Sequence, residues 1–248
     1  VHTFASLVED LARLGIRTDD RLLVHSSMKA IGPVDGGADT VLDALQRAVA
    51  RGLLLLPTHT WQEWNNRDAI FDPRTEPSCV GILGELFRKR PDVIRSLHPT
   101  HSIAGIGAEA EAFLADEERT RTPCPRHGCW GRLYDIRARI LFLGAPLRTN
   151  TFLHSVEEWH EIPDRLATRA TLFRIRLADG SLLDCPQFRH HSSQGDVSRH
   201  YAKAESELLA RGIAREGRIG DARAVLCDAR EMADLVGEHL RRDPHYFI

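Results

Sequence analysis

Short apolar runs alternate with amphipathic stretches along this 248-residue chain, and that alternation restricts it to an α/β fold more firmly than any single motif does. RLLVHSS (21–27) reads as a strand ending in hydroxyls. GGADTVLDALQRAVARG (36–52) follows as a helix with Val41, Leu42, Leu45, Ala48 and Val49 on one face, and LLLLP (53–57) as the next buried strand. The pattern continues with a helix at 80–90, an extended segment around His98-Pro99 within 93–107, a helix at 108–118, and a short helix and strand within 131–146. RATLFRIRLADGSLLDCPQF (169–188) is expected to be a hairpin turning at Asp179-Gly180. A helix at 196–212, a strand at 222–228 and a helix at 229–242 close the chain. The expected architecture is one domain over 1–248: a largely parallel mixed sheet flanked by helices, with a C-terminal β-hairpin element. The stretch 58–78 lacks periodicity and is expected to be a long loop.

Composition narrows the function classes. With 33 Lys and Arg against 35 Asp and Glu there is no basic excess for a nucleic acid. No apolar run is long enough to cross a bilayer. The segment VHTFASLVEDLARLG is expected to be an amphipathic helix capped by Thr3 rather than a secretion signal, which makes the cytoplasm the default location. Five scattered cysteines, an odd number, are expected to be reduced thiols. Cys124 and Cys129, with His127 between them, invite a zinc reading, but no second pair completes a tetrahedral set, so no metal is expected.

Polar residues gather where strands end and helices begin, which is where open α/β sheets bind ligands. VHSSM (24–28) ends a strand with His25, Ser26 and Ser27 ahead of the glycines of GPVDGGAD (32–39). RSLHPTHS (95–102) gathers Arg95, His98, His101 and Ser102, as a ligand segment or as a structural turn. In RTNTFLHSVEEW (148–159), Asn150 or Thr151 can cap a helix whose core stripe holds Phe152, Val156 and Trp159. His154 then shares a face with Glu157 and Glu158. A carboxylate beside an imidazole favours its charged form and can fix its tautomer, as a general base requires, but spacing alone favours a solvated charged face. PQFRHHSSQGDVSRH (186–200) could bind an anion, or be a polar surface loop.

Taken in order, LLVHSSMKAIGPVDGGADTVLDAL (22–45), FDPRTEPS (71–78), VIRSLHPTHSIAGIG (93–107), GRLYDIRARILFLG (131–144) and NTFLHSVEE (150–158) resemble the aminoglycoside 3-N-acetyltransferase family, over nearly the whole chain. The resemblance implies acetyl-CoA or another acyl-CoA as co-substrate, held by Ser26, Ser27, Met28, Arg95, Ser96, His98 and Ser102. It makes His154 the base that deprotonates the attacking amine, with Glu157 one turn later and Asn150 and Thr151 at the start of the helix that presents it. Neither a covalent intermediate nor a metal is implied. The acceptor is a small-molecule amine, an aminoglycoside or a nucleotide-linked amino sugar. Asp72, Gln187, Arg189, His190 and His191 are the expected acceptor contacts.

The chain departs from the family at 184–191. Where aminoglycoside-modifying members carry acidic residues, it offers Asp184 and then Gln187, Arg189, His190 and His191, a cationic loop that would repel a polyamine. Glu63, Asp68, Asp72 and Glu76 keep an aminoglycoside in play. The departure also permits an inactive CoA-binding homologue. A hydrolase using Ser26 or Ser27 with His25 or His98 is disfavoured because no GxSxG elbow surrounds either serine. The resemblance leaves room for a homodimer and calls for neither nucleic acid nor a membrane.

Overall fold

The computed structural model describes residues 1–61 and 69–248, so Glu63 and Asp68 lie outside the described residues. Strand β1 (Arg21–Ser26) lies at the centre of a seven-stranded sheet, between β2 (Leu53–Pro57) and β6 (Arg139–Leu143), and pairs in parallel with both. Outside this centre the direction reverses. β5 (Ile103–Ile106) runs antiparallel to β2, and β4 (Ile94–Arg95) antiparallel to β5. On the other side β10 (Ala222–Asp228) runs antiparallel to β6, and β9 (Ala214–Ile219) antiparallel to β10. The sheet is thus the expected mixed α/β sheet, with its parallel pairing confined to the middle.

Runs such as LLLLP (53–57) and ILFL (140–143) are continuously apolar because both faces of these strands are covered. Leu22 and Val24 join one core, packed with α1 (Phe4–Arg13) and α3 (Gly37–Ala48), while Leu23 joins the other, with α6 (Cys129–Asp135), α7 (Thr151–Trp159) and α9 (Ala229–Arg242). Thr3 caps α1 in a reciprocal capping box with Ser6, as its sequence implied. Short helices α2 (Met28–Ile31), α4 (Ile82–Phe87), α5 (Ala110–Leu114) and α8 (Glu205–Ala210) complete the helical set.

The hairpin of β7 (Thr171–Arg176) and β8 (Leu182–Gln187) turns through Gly180 in the left-handed region, where a residue without a Cβ is unstrained. It does not stand alone. Ile70–Phe71, inside the expected loop 58–78, forms a short strand β3 parallel to β7, and Phe71 closes a small core with Phe173, Ile175 and Cys185. β9 is a second strand that periodicity missed, because Arg215, Glu216 and Arg218 interrupt its apolar pattern and only Ala214 and Ile219 are buried. Residues 196–212 are helical as expected, but divided into a 3-10 helix, Val197–Ala204, and α8.

Trp130, on α6, is fully buried and donates its Nε1–H to the His101 carbonyl at 3.0 Å, joining the helical layer to the segment after β4. Trp130→Ala is expected to lower the unfolding free energy by about 3–5 kcal/mol, read as a fall in the urea midpoint.

Candidate active site

A cavity of about 850 Å³ opens beyond the carboxyl ends of β1 and β2 and reaches the start of α7 and the segment after β8; its wall includes Ser26, His59, Thr151, His154, Arg189 and His190. His25, Asn150, Arg165 and His191 line it as well. His25 Nε2, His59 Nε2, Asn150 Oδ1 and Arg165 Nη2 are buried with no partner among the described residues, whereas buried polar atoms normally find one in protein, water or ligand.

α7 brings His154 to the cavity. Phe152 and Val156 are fully buried, so the helix turns His154 toward the cavity. Asn150 holds the N-cap position, but its side chain does not cap the helix as expected: it is turned inward, with Nδ2 3.4 Å from Met232 Sδ. Thr151 is the first helical residue and lines the cavity.

Nor is the glutamate pair a solvated face. Glu157 is 0 % exposed; its Oε1 accepts from Arg165 Nε at 2.6 Å and its Oε2 from the Tyr201 hydroxyl at 2.5 Å. Burial alone would raise the Glu157 pKa, but the bonds and charge of His154, with the bonds from Tyr201 and Arg165, hold it below the ordinary glutamate value. The ionised carboxylate can only accept, so the Tyr201 proton points to it. The Tyr201 oxygen, 2.6 Å from His154 Nδ1, therefore accepts the Nδ1 hydrogen. This tautomer leaves the lone pair on Nε2, the arrangement a base needs. Tyr201 and Arg165 escaped the sequence reading because neither belongs to a local catalytic pattern and both meet Glu157 only in the fold.

Glu158 faces the other way. It accepts from Thr122 Oγ1 at 2.6 Å and the Cys124 N–H at 2.9 Å, and lies 3.1 Å from His190 Nε2. Burial pushes its pKa up to about 7. The His190 ring packs on that of His154 with 4.2 Å between centroids, and His101 and His59 continue the contact inward. Burial first, and the neighbouring histidines second, keep His59, His101 and His190 well below the ordinary histidine value; burial takes His25 down to about 3. Four imidazoles of the wall, His25, His59, His101 and His190, are therefore held neutral. The expected cationic loop is correspondingly weaker: His190 is neutral and His191 sits 3.5 Å from Asp164, which leaves Arg189 as its cation.

Among the residues expected to hold acyl-CoA, Ser26 alone lines the cavity. Ser27 takes the N-cap position of α2 without a side-chain bond, and Met28 packs against the α1 and α3 core. Arg95 is buried and spends its guanidinium on the carbonyls of Thr58, Pro73 and Glu76 and on Ser102 Oγ, with burial lowering its pKa to about 9. Ser96 Oγ accepts from Ile103 N, Ser102 Oγ donates to the Thr58 carbonyl, and buried His98 accepts the N–H groups of Thr100 and His101 at Nδ1. These four shape the wall from behind. Of the expected acceptor contacts, Arg189, His190 and His191 line the cavity. Asp72 instead pairs with Arg74, and Gln187 is buried, donating to the Thr120 carbonyl. Asp184 lies on β8 opposite Arg174.

Residues 23–241 match the sequence model of the aminoglycoside 3-N-acetyltransferase family. The chain belongs to that family. Aminoglycoside N(3)-acetyltransferase IX of Micromonospora chalcea is 32% identical over 258 residues, covering 92% of this chain and 89% of the relative. Among solved structures, aminoglycoside acetyltransferase AAC(3)-IVa in complex with a gentamicin superposes with a TM-score of 0.86 at 27% identity, over 100% of this chain and 91% of that one. AAC-IIIb with CoASH gives 0.84 at 27% identity, over 97% and 96%.

Two outcomes follow for family members built this way. Arg95→Gln is expected to lower the urea midpoint, since each buried carbonyl left unpaired costs about 1–3 kcal/mol, while the KM for acetyl-CoA stays unchanged; a raised KM on an undisturbed fold would instead restore Arg95 to the cofactor site. Glu158 binds a proton more tightly folded than unfolded, so its contribution to stability is complete below its unfolded pKa of 4.5 and is lost as pH rises through about 7. Glu158→Gln should therefore flatten the fall in urea midpoint between roughly pH 5 and 8.

Proposed function

We propose that residues 1–248 act as one N-acetyltransferase domain that moves the acetyl group of acetyl-CoA to an amino group of an amino sugar of the aminoglycoside class, by direct attack with His154 as general base. The observation that carries this reading is the chain from His154 Nδ1 through Tyr201 to the buried carboxylate of Glu157, on the wall of a cavity of about 850 Å³. Relatives of the same fold bound to CoASH and to a gentamicin support both halves of it. The five free cysteines fit a reducing compartment such as the cytoplasm.

In this mechanism the amine nitrogen attacks the thioester carbon while His154 Nε2 takes a proton from it. The tetrahedral intermediate collapses, the carbon–sulfur bond breaks, and the CoA thiolate leaves with the proton returned by the imidazolium. General-base assistance of this kind contributes about 10²–10⁴-fold. Glu157 stabilises the imidazolium through Tyr201, and Arg165 holds Glu157 ionised and in place.

A second acceptor class, an amino sugar joined to a nucleotide diphosphate, is favoured by Arg189 and the unpaired Arg165 Nη2 in the wall. Thiol release from acetyl-CoA with a panel of amines separates the readings. Amine-dependent release, fastest with aminoglycosides and lost in His154→Ala, is the expected result. Faster turnover of a nucleotide-linked amino sugar would move the acceptor to that class. Release without amine would mean a hydrolase, and CoA binding with no turnover an inactive homologue. Tyr201→Phe removes both hydrogen bonds of the hydroxyl, the one to the Glu157 carboxylate alone worth about 1.5–3 kcal/mol, so kcat should fall by at least roughly tenfold to a hundredfold with little change in KM.

A further inference from the structure

Cys124 Sγ, a carboxylate oxygen of Glu158 and a ring nitrogen of His190 lie within 4.8 Å of one another. They come from three separate segments: the stretch before α6, α7, and the chain after β8. Hydrogen bonding joins Glu158 and His190, and the Cys124 thiol, packed in the core beneath α6 and α7, stands against that pair. Cys124 is 0 % exposed and its sulfur reaches the Thr151 carbonyl only at 3.9 Å. Cys129, the other sulfur of the zinc reading that the sequence disfavoured, turns its Sγ away to the Phe113 carbonyl.

We propose that Cys124, Glu158 and His190 bind a divalent cation of the zinc class, and that the bound cation suppresses acyl transfer at His154. Thiolate, imidazole and carboxylate together are the donor set of a borderline-soft ion that takes four ligands tetrahedrally. Bonds of about 2.0–2.3 Å place ligand atoms roughly 3.3–3.8 Å apart. His190 Nε2 and Glu158 Oε1 are already 3.1 Å apart, so small side-chain movements bring in the sulfur. Water from the cavity supplies the fourth ligand. The cation displaces the thiol proton to solvent, and the hydrogen on His190 Nε2 shifts to Nδ1. Thr122 Oγ1 and the Cys124 N–H orient the carboxylate from behind.

The site is accessible. His190 lines the large cavity and Glu158 a second one of about 280 Å³ beside Asp164 and Arg165, while Cys124 is fully buried behind the two and lines neither. Its effect passes through a ring contact. With the His190 and His154 centroids 4.2 Å apart, a dication on His190 opposes the positive charge that His154 gains when it takes the amine proton. Inhibition rests on His154 being the base; binding does not.

Metal-free protein titrated with zinc against a chromophoric competitor, X-ray absorption of the zinc-loaded protein, and acetyl transfer with and without chelator test the proposal. The expected result is one zinc per chain with a sulfur in its shell, and transfer inhibited by zinc and restored by chelator. Cys124→Ser should keep its transfer rate in chelator, escape inhibition, and lose more zinc affinity than the ~10–100-fold expected of Thr122→Val, which removes only a supporting contact. Zinc held by nitrogen and oxygen alone, or held as tightly in Cys124→Ser, would mean adventitious binding among the cavity histidines and would overturn the site. If Cys124→Ser does not fold, the absorption spectrum of the wild type decides. Sulfur-ligated zinc with undiminished transfer overturns the inhibition, whereas sulfur-ligated zinc beside a fully active His154→Ala overturns the reading of His154 and the inhibition that rests on it, and leaves the binding site standing.

Discussion

A carboxylate with no exposure, Glu157, is the group on which the site depends. Ionising it away from water is costly unless its oxygens are paired with good geometry. The fold meets that condition from two directions, with Arg165 from the loop after α7 and Tyr201 from the 3-10 helix Val197–Ala204. Because Tyr201 hands its proton to Glu157, it must accept from His154. One buried charge thus sets the tautomer of an imidazole through a shared hydroxyl, with His154 Nδ1 itself 3.6 Å from Glu157 Oε2.

The rest of the cavity is arranged around neutrality. His25, His59, His101 and His190 are too desolvated to carry charge, so a wall rich in basic residue types presents few cations. That bears on the acceptor. A cationic amine meets less repulsion than the composition of residues 186–200 suggests, and Arg189 and Arg165 remain as points where an anionic group could pair. Charge counted along a sequence overstates charge in a site wherever burial shifts the balance.

The central sheet explains why these residues can converge. Its parallel strands β2, β1 and β6 end on the same side, and the polar residues at the ends of β1 and β2 form one floor of the cavity, with α7 descending beside them after β6. Arg95, Ser96, His98 and Ser102 hold the neighbouring antiparallel strands and the turn between them in register by bonds to backbone groups. Polar residues clustered in one short segment there serve the shape of the wall.

The sequence by itself determined the α/β class, most elements, the capped first helix, and the place of His154 on α7 opposite a buried stripe, because these depend on periodicity and on neighbours within a turn. It also carried the family, through ordered segments spread over the chain. Tertiary structure decided what local pattern cannot encode. β3 exists only through its pairing with β7, and β9 hides its two buried positions among charges. Whether Glu157 is a solvated charge or a buried anchor depends on Arg165 and on Tyr201, 44 residues away. Whether Arg95 faces a ligand or the backbone depends on carbonyls 19 to 37 residues distant. The meeting of Cys124, Glu158 and His190 is of the same kind: three donors brought together by packing, with nothing in their spacing to announce it.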